Sequence, residues 1–126
     1  AKLGLVPEFG SSYLLPLSAG MRLASELVLL GEPFDAATAL RAGLLTAVVP
    51  ADAVLARARQ TADALAQMAP GPMARSKRLL RQGHQAALEA TFAAEGQALQ
   101  ESVQSPELAE AVSAFLAKRA PDFSRF

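Results

Sequence analysis

Residues 24–50, ASELVLLGEPFDAATALRAGLLTAVVP, contain the pattern that decides the fold of this chain. The first part has apolar side chains on neighbouring helical faces, which predicts a buried helix ending at Gly31. Asp35 is a typical N-cap for the next helix, and Gly43 is a typical end of that helix after about two turns. The apolar, β-branched run at 44–50 predicts a short strand. The stretch therefore indicates a mainly helical chain in which the extended segments are short.

The same kind of pattern continues on both sides of this stretch. Residues 2–6 are a second candidate strand, and Ser11 or Ser12 can cap a short helix that we expect to break near Pro16. Apolar spacing and punctuation by proline and glycine predict four more helices downstream, at 51–68, 72–81, 84–103 and 106–120. Ser105 is the predicted N-cap of the last one. The fold class expected from the residues is mainly α with one or two short strands.

The composition limits the classes of function. With 126 residues, the chain has the length of one domain. Its 12 basic and 12 acidic side chains cancel, so no overall field attracts nucleic acid or an anionic membrane. A chain with no cysteine has neither disulfides nor thiolate metal sites, and one histidine cannot form an imidazole cluster. We therefore expect no metal site, and neither nucleic acid nor a membrane as a partner.

The start of the sequence and its hydropathy bear on location. A charged start followed by an apolar core and a cleavage site is not found, and no uncharged apolar run approaches about 18 residues. An intracellular protein is expected, cytoplasmic as in bacteria, with peroxisomal and mitochondrial locations left open. The first residues, AKLGLVP, lack an initiator methionine and begin as if within a strand, so we interpret the chain as a piece of a longer one.

Residues 6–16, VPEFGSSYLLP, carry an acid that needs an explanation. Glu8 stands between Pro7 and Phe9, just before the predicted start of a helix. An acid at this place stabilises a helix through the positive end of its dipole. The other interpretation is a proton carrier, because apolar neighbours favour the protonated form of a carboxyl group. The two serines and Tyr13 that follow lack the glycine spacing of a nucleophile elbow, so we interpret this group as a helix cap.

Four segments carry a resemblance to a known family. They are LGLVPEFGSSYLLP, ASELVLLGEPFDAATALRAGLLTAVVP, APGPMARSKRLLRQG and SPELAEAVSAFLAKRAPDF, and their order and spacing are more specific than any one of them. In this order the chain resembles the C-terminal half of the crotonase superfamily, the enoyl-CoA hydratases and isomerases. The resemblance implies the helical C-terminal portion of the crotonase α/β spiral fold. It assigns residues 1–10 to the end of the β-spiral core and the active-site loop, and residues 11–126 to a helical covering and trimerisation region.

The resemblance also implies a role for Glu8. PEFGSSY is similar to the peroxisomal type of Δ3,Δ2-enoyl-CoA isomerase, in which a glutamate at this place is the catalytic base. One carboxylate could then move a proton from carbon 2 to carbon 4 of a 3-enoyl-CoA, while backbone amides stabilise the thioester oxygen. In the family those amides belong to the other half, so we expect the 126 residues alone to be inactive. No cofactor is implied, because the acyl-CoA is the substrate.

Two alternatives stay open. Hydratases usually have a Gly-rich segment where this chain has Glu8, and a second catalytic glutamate just before the residue aligned with Ala1. A hydratase that adds water to a 2-enoyl-CoA is therefore the near alternative. The alternative from another class is a non-catalytic acyl-CoA-binding or oligomerisation module. The implied partners are an acyl-CoA thioester and further copies of the chain, in a trimer or hexamer, because several helices are apolar over more than the usual arc.

Six residues are candidates for contacts with an acyl-CoA. Phe9, Leu14 and Leu17 could line the acyl tunnel, although core packing also explains apolar residues at these places. The resemblance assigns Lys118, Arg119 and Phe123 to the nucleotide end of CoA, often across a subunit boundary. Charge complementarity at the end of a helix explains the two cations equally well.

A group of cations near the middle of the chain has two interpretations. Arg75, Lys77, Arg78 and Arg81 lie within seven residues, and this group is called the cation cluster below. Such a run is ordinarily a solvated helix face, but arginine is also well shaped for the phosphates of CoA. His84 follows at a helix junction with no acid-base partner near it in sequence, so a surface or capping role is expected.

Overall fold

Helices make up most of the protein. The structure is a computed structural model that describes residues 2–126. Its helices are α1 (Ser11–Leu30), α2 (Ala36–Arg41), α3 (Val54–Ala66), α4 (Pro70–Gln82), α5 (Gln85–Val103) and α6 (Pro106–Leu116), with a 3-10 turn at Ala51–Ala53. Helix α1 packs against α5, and α5 packs against α6. The prediction of a mainly helical fold is confirmed.

The two predicted strands do not form. Residues 2–6 consist of turns, a bend and irregular backbone, and residues 44–50 are likewise irregular. A strand needs ladder hydrogen bonds to a neighbouring strand, and the part of the chain described here contains no strand to pair with. Apolar composition was therefore a wrong sign of a strand at both places.

The local signals at helix ends were reliable. Asp35 caps α2, because its carboxylate accepts a hydrogen bond from the Thr38 amide at 2.8 Å. Ser105 caps α6 by accepting from the Leu108 amide at 3.2 Å. Gly31 ends α1 in the left-handed conformation, with φ at 60°. These residues act through their own backbone neighbourhood, which is why the sequence was sufficient to find them.

Helix α1 departs from its prediction at both its start and its break. Its N-cap is Gly10, and neither Ser11 nor Ser12 caps the helix with its side chain. Pro16 lies inside the helix without ending it, and the break comes at Gly20, with φ at 74° and ψ at 155°. That combination of angles is essentially restricted to glycine. The kink in α1 therefore lies at Gly20 and not at Pro16. Helix α4 likewise begins two residues before the predicted proline, at Pro70, because both of its prolines fit in the first turn.

The length of α1 raises the question of a membrane span. Among the described helices, α1 alone is long and apolar enough to cross a bilayer by length and composition. The backbone leaves the helix at Gly20, so each part has about ten residues, half of the roughly 20 that a span requires. The second part also carries Arg22 and Glu26. These features favour a helix that packs against protein.

The core of the described chain is small. Its buried apolar residues are all alanines, namely Ala24, Ala42, Ala111 and Ala114. Large apolar side chains remain at the surface, and Leu80 and Phe115 are each 77% exposed. Burial of large side chains is normally the main source of folding free energy. Polar contacts that fix the backbone are therefore unusually prominent in this structure.

The segment after α6 is held against that helix by one such contact. Glu110 is buried, and its two carboxylate oxygens accept from Arg119 Nη1 at 2.5 Å and Nη2 at 3.0 Å. The amide of Asp122 donates to the same carboxylate at 2.8 Å, and Arg125 lies 3.5 Å from it. The hydrogen bonds from Arg119, followed by that from Asp122, lower the pKa of Glu110 to about 2. The last residues therefore fold back on α6 through an ionised carboxylate.

This arrangement predicts a specific loss of stability in acid. The pKa of Glu110 falls from 4.5 when unfolded to about 2 when folded, so its contribution is complete above pH 4.5 and disappears as the pH drops toward 2. Glu110→Gln should lower the free energy of unfolding at neutral pH, because an amide cannot hold Arg119 in the same way. The gap to the wild type should then shrink between those two pH values in denaturant titrations. Glu101→Gln is the control, and a gap independent of pH contradicts the assignment.

Candidate active site

The candidate site begins with a tight turn that carries Glu8. The amide of Ser11 donates to the carbonyl of Glu8 at 3.1 Å and closes the turn. Its two central residues, Phe9 and Gly10, both have positive φ, at 59° and 75°. Positive φ costs a phenylalanine free energy, so this conformation persists only where the surroundings enforce it. Glu8 thus stands at the first position of a turn that is under constraint.

A buried acid from α5 supplies part of that constraint. Glu95 is 7% exposed, and its Oε2 accepts from the Gly10 amide at 2.7 Å. Its Oε1 accepts from the Ser12 amide at 2.9 Å and from the Ser12 hydroxyl at 2.6 Å. Amides at the start of a helix have no partner within the helix, so Glu95 takes the place of the predicted serine cap. We call these three hydrogen bonds the Glu95 clamp.

The clamp also determines the charge of the acid. Burial has the largest single influence and raises the pKa of Glu95. The hydrogen bonds from the Ser12 hydroxyl, the Ser12 amide and the Gly10 amide act in the opposite direction, and their sum lowers the pKa below its ordinary value. Glu95 is therefore ionised at neutral pH despite its burial.

Other residues of α5 contact the same segment. A Cβ atom placed on Gly10 would lie 3.2 Å from Leu88 Cδ2 and 3.3 Å from Phe92 Cε1. One turn earlier, His84 Nδ1 lies 2.9 Å from the hydroxyl of Tyr13. The spacing of Leu88, Phe92 and Glu95 places these three residues on one face of α5, called the α5 face below, and His84 immediately precedes the helix. That face positions the chain from the Glu8 turn into α1.

Sequence reasoning missed Glu95, although a signal was present. Leu88, Phe92 and Leu99 form the apolar stripe of α5, and the position that completes this spacing is Glu95. An acid in a buried stripe requires hydrogen-bond donors. A search for such an acid would have found the residue, but only the structure identifies its donors, which lie more than 80 positions away in sequence.

The environment of Glu8 differs from the one expected. Its side chain is exposed, and none of the salt bridges within residues 2–126 involves it. Phe9 is 81% exposed, and Val6 and Pro7 are only half-buried. These apolar neighbours therefore leave the carboxylate open in the part of the chain that the structure describes, and the role of Glu8 as a proton carrier stays a prediction. The turn fixes where Glu8 stands, but the described residues do not surround it.

An open cleft of about 1230 Å³ lies between α4, α5 and the first part of α1, and neither Glu8 nor the rest of its turn is among the lining residues. Its apolar lining includes Leu14, which was predicted to contact substrate, and two residues of the α5 face. The polar lining includes three members of the cation cluster, together with His84. Leu17, which is 55% exposed, and Phe9 are not among the lining residues. The structure thus brings one of the three predicted acyl-contact residues together with most of the cation cluster.

None of the described pockets is lined by all three residues predicted to contact CoA. Arg119 pairs with Glu110, as described above, and Lys118 is exposed with φ at 52°. Phe123 is half-buried in a separate depression that also includes Gly4 and Val6. Their contact with CoA stays a prediction. No group of three or more histidine, aspartate or glutamate side chains within residues 2–126 is arranged to hold a metal ion.

A family profile and individual known proteins that resemble this chain indicate the same family. A profile described as enoyl-CoA hydratase/isomerase matches residues 1–125. The 2,3-dehydroadipyl-CoA hydratase of Escherichia coli (strain K12) is 40% identical over 121 residues, which are 96% of this chain and 48% of that protein. The 1,2-epoxyphenylacetyl-CoA isomerase of the same strain is 33% identical over 124 residues, which are 98% of this chain and 47% of that protein.

Solved structures agree with this result. The crystal structure of an enoyl-CoA hydratase/isomerase from Pseudoalteromonas atlantica T6c superposes with a TM-score of 0.92 at 41% identity. The match covers 98% of this chain and 50% of that one. The helical portion of the crotonase fold is thereby confirmed. The chain spans about half the length of the relatives it matches.

The geometry of the turn predicts that a side chain at position 10 destabilises the protein. Gly10→Ala should lower the free energy of unfolding by about 1–2 kcal/mol through its left-handed backbone alone. The close approach of Leu88 and Phe92 should add to that loss. Denaturant unfolding measures the effect, and Gly83→Ala is the matched control because its φ is −66° and its surroundings are open. Equal stability of the two variants would contradict the described turn.

Proposed function

The chain belongs to the enoyl-CoA hydratase/isomerase family, and on this basis we propose that the complete protein moves a double bond of an unsaturated acyl-CoA from the 3,4 to the 2,3 position. The observation that carries the proposal is the placement of Glu8. It stands at the first position of a turn held by the Glu95 clamp, with its carboxylate accessible and in no salt bridge among residues 2–126. A base needs such a fixed but accessible position.

The proposed reaction uses Glu8 alone as acid and base. The Glu8 carboxylate takes a proton from carbon 2, and the electrons of that C–H bond form a dienolate whose charge rests on the thioester oxygen. Glu8 then returns the proton to carbon 4, and the double bond comes to lie between carbons 2 and 3. Backbone amides aimed at the thioester oxygen stabilise the intermediate. In this proposal they come from the part of the protein that corresponds to the other half of the relatives.

The exposure of Glu8 in this chain is compatible with that division. A base surrounded by its own half could not reach a substrate bound by the other half. The open cleft and the exposed Phe9 of the turn provide apolar surface that an acyl chain or the remaining half could cover. The exposed apolar side chains of the other helices favour a homo-oligomer, for which we propose a trimer or hexamer.

A hydratase is the second candidate, and the names of the relatives favour it. The relative that is 40% identical is named a hydratase, whereas the one that is 33% identical is named an isomerase. A hydratase adds water across the 2,3 double bond of an acyl-CoA. Assays of the complete protein with a 3-enoyl-CoA and with a 2-enoyl-CoA distinguish the two candidates. Binding without turnover of either substrate would indicate a non-catalytic module.

Glu8→Gln tests the base. The variant should lower isomerase kcat by about 10²- to 10⁴-fold, because an amide cannot accept the carbon-bound proton. Steady-state kinetics of the complete protein with a 3-enoyl-CoA measure this loss. Glu26→Gln, an exposed acid on α1, is the control and should leave kcat unchanged. Wild-type turnover in Glu8→Gln would remove Glu8 from the mechanism.

A second test concerns the chain by itself. Residues 1–126 produced alone should not turn over a 3-enoyl-CoA, because the proposed donors to the thioester oxygen lie outside them. The complete protein in the same assay is the control. Isomerisation by the isolated chain would show that these residues contain every group the reaction needs.

A further inference from the structure

We propose that Glu95 is a positioning residue for Glu8, and that its clamp on Gly10 and Ser12 sets the geometry at which Glu8 meets the substrate. The inference rests on the proposed function, in which Glu8 is the base. Glu95 does not touch the substrate in this proposal. It acts through the backbone of the turn, and it does so from a helix remote in sequence.

The Glu95 clamp completes the hydrogen bonding of the turn. Each backbone amide from residue 10 to residue 14 has a partner. Gly10 and Ser12 donate to Glu95, and Ser11 donates to the carbonyl of Glu8 at 3.1 Å. The next two amides donate to the carbonyl of Gly10. Since Glu95 holds the residues on both sides of Ser11, it limits rotation of the peptide units that follow Glu8.

The conformation of the turn depends on support from outside it. Phe9 has a φ of 59° and is 81% exposed, so its own side chain offers little packing to enforce that conformation. The next residue, Gly10, is held in place by the Glu95 clamp and by the α5 face. Release of Gly10 would allow Phe9 to return to negative φ. Glu8 immediately precedes Phe9, so its carboxylate would move with that change.

Only an ionised acid at position 95 can accept all three hydrogen bonds of the clamp. An ionised carboxylate is an acceptor only, so both oxygens can receive the amides that point at them. A glutamine would turn an N–H group toward one of those donors and lose at least one of the hydrogen bonds. The lowered pKa of Glu95 is in agreement with this role. Charge, rather than the size of the side chain, is what the site requires.

The expected effect is on turnover rather than on substrate affinity. A displacement of about 1 Å in a reacting group can lower a rate by roughly 100-fold. Glu95→Gln in the complete protein should therefore reduce kcat by about 10- to 100-fold, with a much smaller change in KM. Glu101→Gln is the matched control, because Glu101 is an exposed acid on the same helix that accepts from Gln97.

A double-mutant cycle separates positioning from general stability. In the Glu8→Gln background there is no base left to misplace, so adding Glu95→Gln should not lower kcat further. Thermal unfolding of each variant, followed in parallel, gives the folded fraction used to correct kcat. Ser12→Ala provides a milder variant, because it removes the hydroxyl bond and keeps both amides clamped. It should give a smaller loss of kcat that also vanishes beside Glu8→Gln.

The outcomes are distinguishable. Wild-type kcat in folded Glu95→Gln, with only a lower Tm, overturns the inference and leaves a structural role. Additive losses in the cycle overturn it as well, while the proposed function stands. If Glu8→Gln has wild-type turnover, the proposed function fails and this inference fails with it. If Glu95→Gln does not fold, the cycle with Ser12→Ala decides the question in the same way.

Discussion

The hydrogen bonds of the Glu95 carboxylate connect α5 to the start of α1 and to the turn that carries Glu8. One oxygen receives the amide of Gly10, and the other receives the amide and hydroxyl of Ser12. The free amides at a helix start are partial positive charges, and a buried carboxylate is a negative charge without water, so each compensates the cost of burying the other. The position of α1, the conformation of the Glu8 turn and the α1–α5 packing all depend on this contact.

The opposite end of the chain uses the same device with a different donor. Glu110 is as buried as Glu95, but its partners are the guanidinium of Arg119 and the amide of Asp122. Both acids sit in helices, and each holds chain next to a helix end: Glu95 holds the turn at the start of α1, and Glu110 holds the segment after α6. In a chain whose buried apolar residues are alanines, hydrophobic packing alone would leave these segments free. Ionised carboxylates therefore fix backbone segments that large apolar side chains fix in other proteins.

Whether a feature could be predicted from the sequence depends on how far apart in the sequence its interacting residues lie. The caps at Asp35 and Ser105 were found because the donor and acceptor lie three residues apart. The order of four segments identified the family, since each position in a family pattern already reflects long-range contacts. The start of α1 was missed because its cap comes from Glu95, and the strands were overpredicted because a strand depends on its neighbour. Glu8 was singled out from the sequence as an acid just before a helix, and its role as a base stays a prediction because its side chain is exposed among the described residues.

In the proposed mechanism, the two acids near the turn have separate roles: Glu8 carries the proton and Glu95 holds the backbone. Three donors keep Glu95 ionised, so it cannot exchange protons near neutral pH and is suited to hold the backbone. No salt bridge within residues 2–126 involves the carboxylate of Glu8, so its side chain is free to meet a group from outside these residues. A proton carrier requires that freedom in its side chain but rigidity in its backbone. The clamp on Gly10 and Ser12 provides the rigidity without contacting the carboxylate of Glu8, so the two requirements do not conflict.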